Sequence, residues 1–443
     1  MKLYKEFFRY VIPSMFAFAL SGLYGIVDGF FLGNEMGDSA LAAINIAYPI
    51  TAFMQALGTG VGMGGAVLYT ILKAQQKEKE KAECLAVTLK LLAVLGVLLT
   101  PVFVLGNGFF LKLLGASGEI LSLGKEYIRW IALGTLFQLL GTGLVPFMRN
   151  IGGAMIPMIA MVFGSVLNIG FDYLFIWVFP FGMTGAAIAS VMGQVGAFLV
   201  SIVYLIRKKE RICWKSQKES YLKKILLIGC SPFGLSFAPN LTLILVNLNA
   251  ITYGGDFAIK AYAPISYITF TIMMLLQGVS DGCQPLVSFY YGKGEVKITR
   301  KIYILSRNFS LLLGILCFLI LMLWAKPAVG FFGTSEAVTH YVVEILPLFL
   351  LGMVFAGLSR SVISFFYASE QNRKAYVMIY GENMVLFVLL LFLPRLFGIN
   401  GTWLSIMISQ ILIALLGQIM VKEGVIAKTI LSRMGVEKQV FKP

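Results

Sequence analysis

Long stretches with few or no Asp, Glu, Lys or Arg residues are the feature that most constrains this 443-residue chain. A helix needs about 20 apolar residues to cross a bilayer. Several of the stretches reach or exceed that length, and the sequence predicts an all-α membrane protein with twelve transmembrane helices. The predicted spans are 7–33, 39–72, 91–111, 130–148, 150–179, 184–206, 225–255, 261–280, 308–325, 345–359, 375–394 and 396–421.

The composition supports this interpretation and excludes other classes of protein. The chain is 58% hydrophobic and only 13% charged, which leaves too few charges to cover several soluble domains. Its five cysteines are scattered and it has one histidine, so a zinc ribbon, a disulfide framework and a Ser-His-Asp triad are not expected. We therefore expect no cofactor and no metal, apart from a bound Na⁺ where that ion drives transport.

The basic residues alternate along the chain from one inter-span loop to the next. They are frequent in 73–81 and 207–224, near 293–301 and 373–374, and at both ends of the chain, whereas the other loops are nearly bare. Cytoplasmic loops carry such an excess, so we expect both termini in the cytoplasm and the chain in the cytoplasmic (inner) membrane. The net charge of +15 then needs no nucleic-acid partner.

The two halves of the sequence resemble each other. A shift of 218 residues places the glycines and small residues near Gly37 and Gly60 on those near Gly255 and Gly278. Six spans in each half give both halves the same orientation, which predicts two parallel six-helix repeats, or lobes, around a central cavity. The predicted divisions are an N-terminal lobe at 1–206, a basic cytoplasmic linker at 207–224, a C-terminal lobe at 225–423 and a cytoplasmic tail at 424–443.

Polar residues inside the spans are candidates for function because a carboxylate in the bilayer core costs several kcal/mol unless it is paired or hydrated. By helical rise, Asp28, Asn168, Asp172 and Ser190 reach similar depths in the outer half of the first lobe. Their oxygens suit Na⁺, and two carboxylates that share a site also suit a proton. Alternatively, Asp28 and Asp172 are satisfied separately by hydrogen bonds or by water.

Several segments resemble the multidrug and toxic compound extrusion (MATE) family. They are IVDGFFLGNEMGDSALAAINIAYPI at 26–50, QGVSDGCQPLVSFYYGKGE at 277–295, and the region from Asn168 to Gln194. The resemblance implies two six-helix lobes in a V and export of organic, often cationic compounds, driven by inward Na⁺ or H⁺. Asp28, Asn168, Asp172 and Ser190 match the cation site of one prokaryotic branch of that family.

The second lobe offers weaker candidates, which another branch of the family keeps open by placing essential carboxylates there. They are a substrate-cavity or second-lobe site at Asn247, Gln277, Asp281 and Glu382. Arg360 is the only deep cation that we identify, and it either snorkels or contacts the cavity. The glycines of GTGVGMGG, residues 58–65, predict close helix packing rather than a phosphate loop.

Pro13, in the first span, is either a bend point or an ordinary proline at a helix start. In similar family members a proline at this place accompanies bending of the first helix. We therefore hold both interpretations open at this residue.

These observations favour a secondary active antiporter that exports amphipathic organic cations by alternating access. We expect it to act as a monomer whose partners are small organic substrates and the lipid bilayer. A lipid-linked oligosaccharide flippase of related architecture is the alternative, although a more cationic cavity would be expected for it. An enzyme or a channel is disfavoured, because no catalytic set and no filter motif is visible.

Overall fold

Helices make up all the regular structure in the part of the chain that the computed structural model describes, which is residues 2–153, 155–210, 212–213, 219–332 and 335–433. The side chains at 2, 21–39, 41–42, 219–220, 256 and 423–433 lie outside that part. A bilayer core offers backbone groups no water, so apolar segments must bond them internally as helices. The all-α fold predicted from the sequence is confirmed.

Twelve α-helices and one π-helical turn follow one another along the described residues. They are α1 (Lys2–Ala74), α2 (Glu78–Leu113), α3 (Gly118–Leu133), α4 (Thr135–Ile151), α5 (Ile156–Asp172), the π-helical turn (Tyr173–Val178), α6 (Gly182–Arg207), α7 (Glu219–Gly292), α8 (Val296–Leu323), α9 (Ala325–Gly330), α10 (Glu336–Ala368), α11 (Asn372–Phe397) and α12 (Ile399–Arg433).

Two of these elements, α1 and α7, each cross the molecule twice. The backbone of α7 breaks at Gly255, whose φ of 61° and ψ of −160° suit a residue without a Cβ. Both ends of α1 lie near the last turns of α7, since Tyr290 donates a hydrogen bond to Glu6 and Gly292 packs against Ile71. Because its two ends meet at one place, α1 makes an outward and a return pass.

Ten helices of the described part are long and apolar enough to cross a membrane. The pair α3 and α4, bent by 60° at Gly134, brings the number to eleven. The predicted first span, 7–33, contains residues whose side chains are not described. Elsewhere every predicted span has a helical counterpart, although the segment predicted at 130–148 straddles the bend rather than forming one straight helix.

The helices group into two lobes, α1–α6 and α7–α12, which face each other mainly through α1 and α7. One end of the molecule carries four of the connections between helices. They join α1 to α2, α6 to α7, α7 to α8, and α10 to α11. We call it the basic end, because the Lys- and Arg-rich segments lie there. The other end is called the opposite end.

Buried apolar residues show where the two lobes share a core. One cluster contains most of the buried apolar side chains of the first lobe together with second-lobe residues near the basic end, such as Val287 and Phe366. A second cluster, around Trp403 and Tyr262, contains only residues of the second lobe and extends toward the opposite end. The described lobes are therefore packed together at the basic end and have separate cores toward the opposite end.

The glycine-rich segment 58–65 of α1 packs closely on two sides, which confirms the packing role predicted for it. A Cβ added at Gly62 would lie 2.6 Å from the carbonyl carbon of Gly143 in α4, within the same lobe. A Cβ added at Gly60 would lie 2.9 Å from the carbonyl oxygen of Gly229 in α7, in the other lobe. Alternate glycines therefore serve the interior of the first lobe and the interface between the lobes.

Candidate functional site

Asn168 and Asp172 lie one turn apart on α5 and are among the most deeply buried polar residues of the first lobe. Asn168 is 2% exposed and Asp172 is not exposed at all. The i, i+4 spacing places both side chains on one face of the helix. The prediction that these two residues share an interior face agrees with their burial.

The packing of α5 against α6 brings Ser190 to the same level. A Cβ added at Gly193 would lie 2.8 Å from the carbonyl oxygen of Gly164 and 3.0 Å from the Cβ of Asn168. Nearer the opposite end, Gly185 packs in the same way against Phe175. Between these two contacts the antiparallel register places Asp172 opposite the turn of α6 that carries Ser190, which is half-buried.

A π-helical turn follows Asp172 directly, at Tyr173–Val178. Such turns are rare, occur mostly as single turns and are frequent at functional sites, since the wider winding disturbs the regular backbone bonding. Its residue Ile176 is buried at 1% exposure, which anchors the widened turn in the lobe. The π-helical turn thus begins directly after Asp172, one of the carboxylates predicted from the sequence to bind the coupling ion.

The amide of Asn168 has an unusual environment. Neither its oxygen nor its nitrogen has a hydrogen-bond partner among the described residues. Leaving a buried amide unsatisfied costs roughly 1–3 kcal/mol, so such a group is usually explained by a bound species or a further partner. Within the described residues, no group of three or more His, Cys, Asp or Glu could hold a metal. The oxygen donors present suit a hard monovalent cation better than a transition metal.

The remaining member of the predicted site, Asp28, lies outside the residues whose side chains are described. The helix that carries it, α1, packs along α5 and contacts the π-helical turn. The meeting of the two carboxylates therefore stays a prediction.

Pro13 lies within α1 and is buried. The helix begins eleven residues earlier, at Lys2, so the interpretation of Pro13 as an ordinary proline at a helix start is wrong. Its neighbours Ser14 and Met15 pack against Gly282 and Gly278 of α7 in the other lobe. A bend at Pro13 would thus act directly on the interface between the lobes.

The second-lobe candidates fall in two places. Asn247 and Glu382 are half-buried on α7 and α11, whereas Asp281 is buried and Gln277 half-buried on the second pass of α7. Gln277 donates a 2.8 Å hydrogen bond to Asp281 Oδ1, so these two residues form one site. Asn247 and Glu382 do not join it directly.

Asp281 is paired with a residue that the sequence analysis missed. Arg149, on α4 of the first lobe, is 1% exposed, and its Nη1 lies 3.8 Å from Asp281 Oδ2. The same nitrogen donates a 3.2 Å hydrogen bond to the backbone oxygen of Asp281. The prediction that Arg360 is the only deep cation is therefore wrong. Arg149 lies one residue beyond the charge-free stretch 130–148, so the sequence pattern indicates only the boundary of a span at this residue.

A proline explains why that backbone oxygen is available. Pro285 has no N–H with which to bond the carbonyl four residues before it, which is that of Asp281. The same relation holds on the first pass of α7, where Pro239 leaves the carbonyl of Leu235 without its helical donor. Arg360 donates to that oxygen at 3.4 Å. Arg360 is 5% exposed inside the protein, so it does not snorkel.

An uncharged layer lies beside the ion pair and also joins the lobes. Asn150 of α4 donates a 2.9 Å hydrogen bond to the side-chain oxygen of Gln284 on α7. Gln284 donates to Ser288 at 2.9 Å, and Thr70 of α1 donates to Asn150. All four residues are buried. The interface near the basic end is therefore held by hydrogen bonds as well as by apolar packing.

Glu126 has a structural role at the opposite end. Its Oε1 accepts hydrogen bonds from the backbone nitrogen of Thr184 at 3.1 Å and from the hydroxyl of Thr184 at 2.7 Å. Thr184 is in the first turn of α6, where a negative charge is favoured by unbonded backbone N–H groups.

A family model described as MatE matches residues 13–174 and 236–393 of the chain. A multidrug export protein, MepA, from Staphylococcus aureus is 27% identical over 429 residues, covering 94% of this chain and 93% of that protein. The MepA of Staphylococcus saprophyticus is 26% identical over 427 residues, with the same coverage.

Solved structures show the same architecture. A crystal structure of a MATE protein in a bent conformation superposes with a TM-score of 0.90 at 22% identity, covering 98% of both chains. A multidrug resistance MATE transporter in an outward-facing conformation gives 0.88 at 22% identity, covering 96% of both. At these identities the likeness establishes the fold, which is the two-lobed one predicted from the sequence.

Proposed function

The chain belongs to the MatE family, and on this basis we propose that it is a secondary active antiporter that exports amphipathic, often cationic organic compounds by alternating access. The single observation that carries the proposal is the match of the family model to both halves of the chain. The full-length similarity to multidrug export proteins supports the class of cargo. The molecule is a multi-pass membrane transporter rather than an enzyme.

The way the lobes meet supports alternating access. They share a buried core and hydrogen bonds near the basic end, while toward the opposite end the second lobe has a core of its own. Two rigid lobes that touch at one end can rock about that contact and open the path to the other side of the membrane. The positive-inside rule supports a cytoplasmic location for the closed end, because the basic loops lie there.

Coupling to an ion is assigned to the first lobe. In this proposal Asp172 and Asp28 bind Na⁺ or H⁺, and Asn168 and Ser190 complete the shell. The burial of Asp172 and the unsatisfied amide of Asn168 support this assignment. Release of the ion changes the charge inside the lobe, and bending of α1 at Pro13 would carry that change to the interface.

Efflux from proteoliposomes tests the assignment. Purified protein is reconstituted, loaded with ethidium, and supplied with a Na⁺ gradient or a pH gradient separately. Asp172→Asn and Asp28→Asn should each abolish the gradient-dependent part of efflux. Glu336→Gln removes a carboxylate that is exposed at the opposite end and should leave efflux unchanged. Full ion-driven efflux in both aspartate variants would refute the coupling site.

Bending of α1 has its own test. Replacing Pro13 by Ala restores a backbone donor and a straight helix. If bending is part of the cycle, the variant should bind ethidium but export it slowly. Normal export would remove the bend from the mechanism and leave the ion site untouched.

A further inference from the structure

The contact between Arg149 and Asp281 joins the two lobes through opposite charges. Arg149 belongs to α4 of the first lobe, whereas Asp281 and its other neighbours belong to the second. Asp281 Oδ1 accepts hydrogen bonds from Gln277 at 2.8 Å and from the hydroxyl of Tyr367 at 3.3 Å. The carboxylate of Asp281, held by an amide and a phenol of its own lobe, thus meets a guanidinium that the other lobe inserts.

The pair is poorly made for a permanent bond. Structural Arg–carboxylate pairs are usually bidentate at about 2.7–2.9 Å. Here the guanidinium is 3.8 Å from Oδ2, and its Nε and Nη2, although buried, have no hydrogen-bond partner among the described residues. A buried cation that leaves two N–H donors without acceptors gains too little interaction energy to offset the loss of its hydration by much. Such a contact can form and separate repeatedly.

Separation of the lobes would leave the two charges in different situations. Arg149 would withdraw with α4, and Asp281 would remain with Gln277 and Tyr367 facing the newly opened path. Arg360, in the same lobe, interacts electrostatically with both Asp281 and Glu382. Without Arg149, the second-lobe group of Asp281, Arg360 and Glu382 carries one excess negative charge. A positively charged compound entering from the basic end would compensate it.

We propose that Asp281, with Gln277 and Tyr367, binds the positively charged group of an organic cation when the lobes part at the basic end, and that Arg149 occupies the same site when they close. Arg149 is itself an organic cation tethered to the opposite lobe, so it competes with the cargo. The closed state can form only after the cargo has left this carboxylate. The inference rests on the proposed function, since it assumes that the lobes part.

A disulfide across the lobes reports their separation at the basic end. The five cysteines, 84, 213, 230, 283 and 317, are replaced by Ala, and Cys is introduced at Ala74 and Gly292. A Cβ at Gly292 would lie 2.9 Å from the Cβ of Ala74, so a shift of about 1 Å between the two helices brings the pair to the roughly 3.5–4.5 Å Cβ separation of a disulfide. Oxidative formation of the bond is followed by its gel shift, with and without ethidium. Ethidium at ten times its Kd should slow the reaction about tenfold, because it stabilises the open state.

Charge substitutions then identify the site. Asp281→Asn should raise the ethidium concentration needed to slow the cross-link by about 10- to 100-fold. This is the usual loss of affinity when a charged hydrogen-bond partner is removed. Arg149→Met removes the competitor and should make ethidium effective at about tenfold lower concentration. Because Asp281→Asn leaves Arg149 without its partner, the double variant Arg149→Met with Asp281→Asn serves as a charge-balanced check and should be about 10- to 100-fold less sensitive to ethidium than Arg149→Met alone.

Two controls isolate the role of charge and place. Glu210→Gln breaks a basic-end ion pair with Lys81 inside the first lobe and should leave the ethidium effect unchanged. The neutral dye Nile red should not slow the cross-link in any variant.

The possible outcomes separate this inference from the proposed function. An undiminished ethidium effect in both Asp281→Asn and the double variant overturns the site, as does a wild-type chain whose cross-linking ignores ethidium. If instead the cross-linked protein still exports ethidium, alternating access is refuted. An ethidium effect that depends on Asp281 without any gradient-driven efflux would keep the site and reject the antiporter.

Discussion

Replacing Gly60 by Ala should open the protein at its basic end without unfolding it. The new methyl group would lie 2.8 Å from the Cβ of Phe233 and 2.9 Å from the carbonyl oxygen of Gly229, both in the other lobe. Ordinary van der Waals contact begins near 3.4 Å, so the lobes must part by about 0.6 Å at this point. Overpacking of this kind typically costs about 1–3 kcal/mol.

The closed arrangement bears this cost, whereas parted lobes avoid it. The equilibrium between closed and open should therefore shift about 5- to 150-fold toward opening. The assay is labelling of Ser288→Cys by a membrane-impermeant maleimide, in a chain that lacks the native cysteines. Ser288 is completely buried near the basic end. Its labelling rate should rise by a similar factor when Gly60→Ala is added.

Gly62→Ala is the matched control on the same helix. Its methyl group would meet the backbone of Gly143 inside the first lobe, where the helices have no parted state to adopt. It should lower the Tm and leave labelling at Ser288→Cys unchanged. If Gly60→Ala lowers the Tm as much as Gly62→Ala and leaves labelling unchanged, the interface between the lobes is as fixed as a lobe interior, and the reasoning fails.

Three further substitutions have definite expected outcomes. Glu126→Gln removes the charge but keeps an oxygen acceptor, so it should destabilise the start of α6 by about 0.3–1 kcal/mol, measured as a lower Tm in detergent. Arg360→Met should destabilise the second lobe, and the loss should be smaller when Pro239→Ala restores the missing backbone donor. A double-mutant cycle should therefore give a coupling of about 0.5–3 kcal/mol. Additive losses of stability would contradict the pairing of Arg360 with the carbonyl that Pro239 leaves free. Trp403→Ala should lower the free energy of unfolding by about 3–5 kcal/mol, because the ring is completely buried and donates a hydrogen bond to Tyr341. A small decrease in Tm would show instead that the core of the second lobe repacks.

The order of the described spans was predictable because the cost of a charge in lipid is large compared with any local preference. Charge-free stretches therefore mark most of the helices from α2 to α12, but not α3, which contains Lys125, Glu126 and Arg129, or the short α9. The bend at Gly134 was not predictable, since hydropathy does not report backbone direction. The π-helical turn was missed for the same reason, as Tyr173–Val178 is as apolar as an α-helix.

The candidate site shows a similar division. Asn168, Asp172 and Ser190 could be grouped by helical rise alone, and the packing of α5 against α6 agrees with that grouping. Arg149 and Tyr367 could not be connected to Asp281, because their contact depends on how two lobes meet. Treating every charge as the end of a span hid Arg149, whose long side chain reaches inward from the last turn of α4.

A π-helical turn winds its backbone more widely than an α-helix. The tolerance of the segment around Asp172 to change should therefore depend on the number of residues more than on their type. Loss of one residue within Tyr173–Val178 could be absorbed by rewinding the turn as α-helix. Loss of one residue earlier in α5 would rotate the helix on one side of the gap by about 100° relative to the other. Single-residue deletions, scanned along this segment, would therefore divide it sharply into a tolerant and an intolerant stretch.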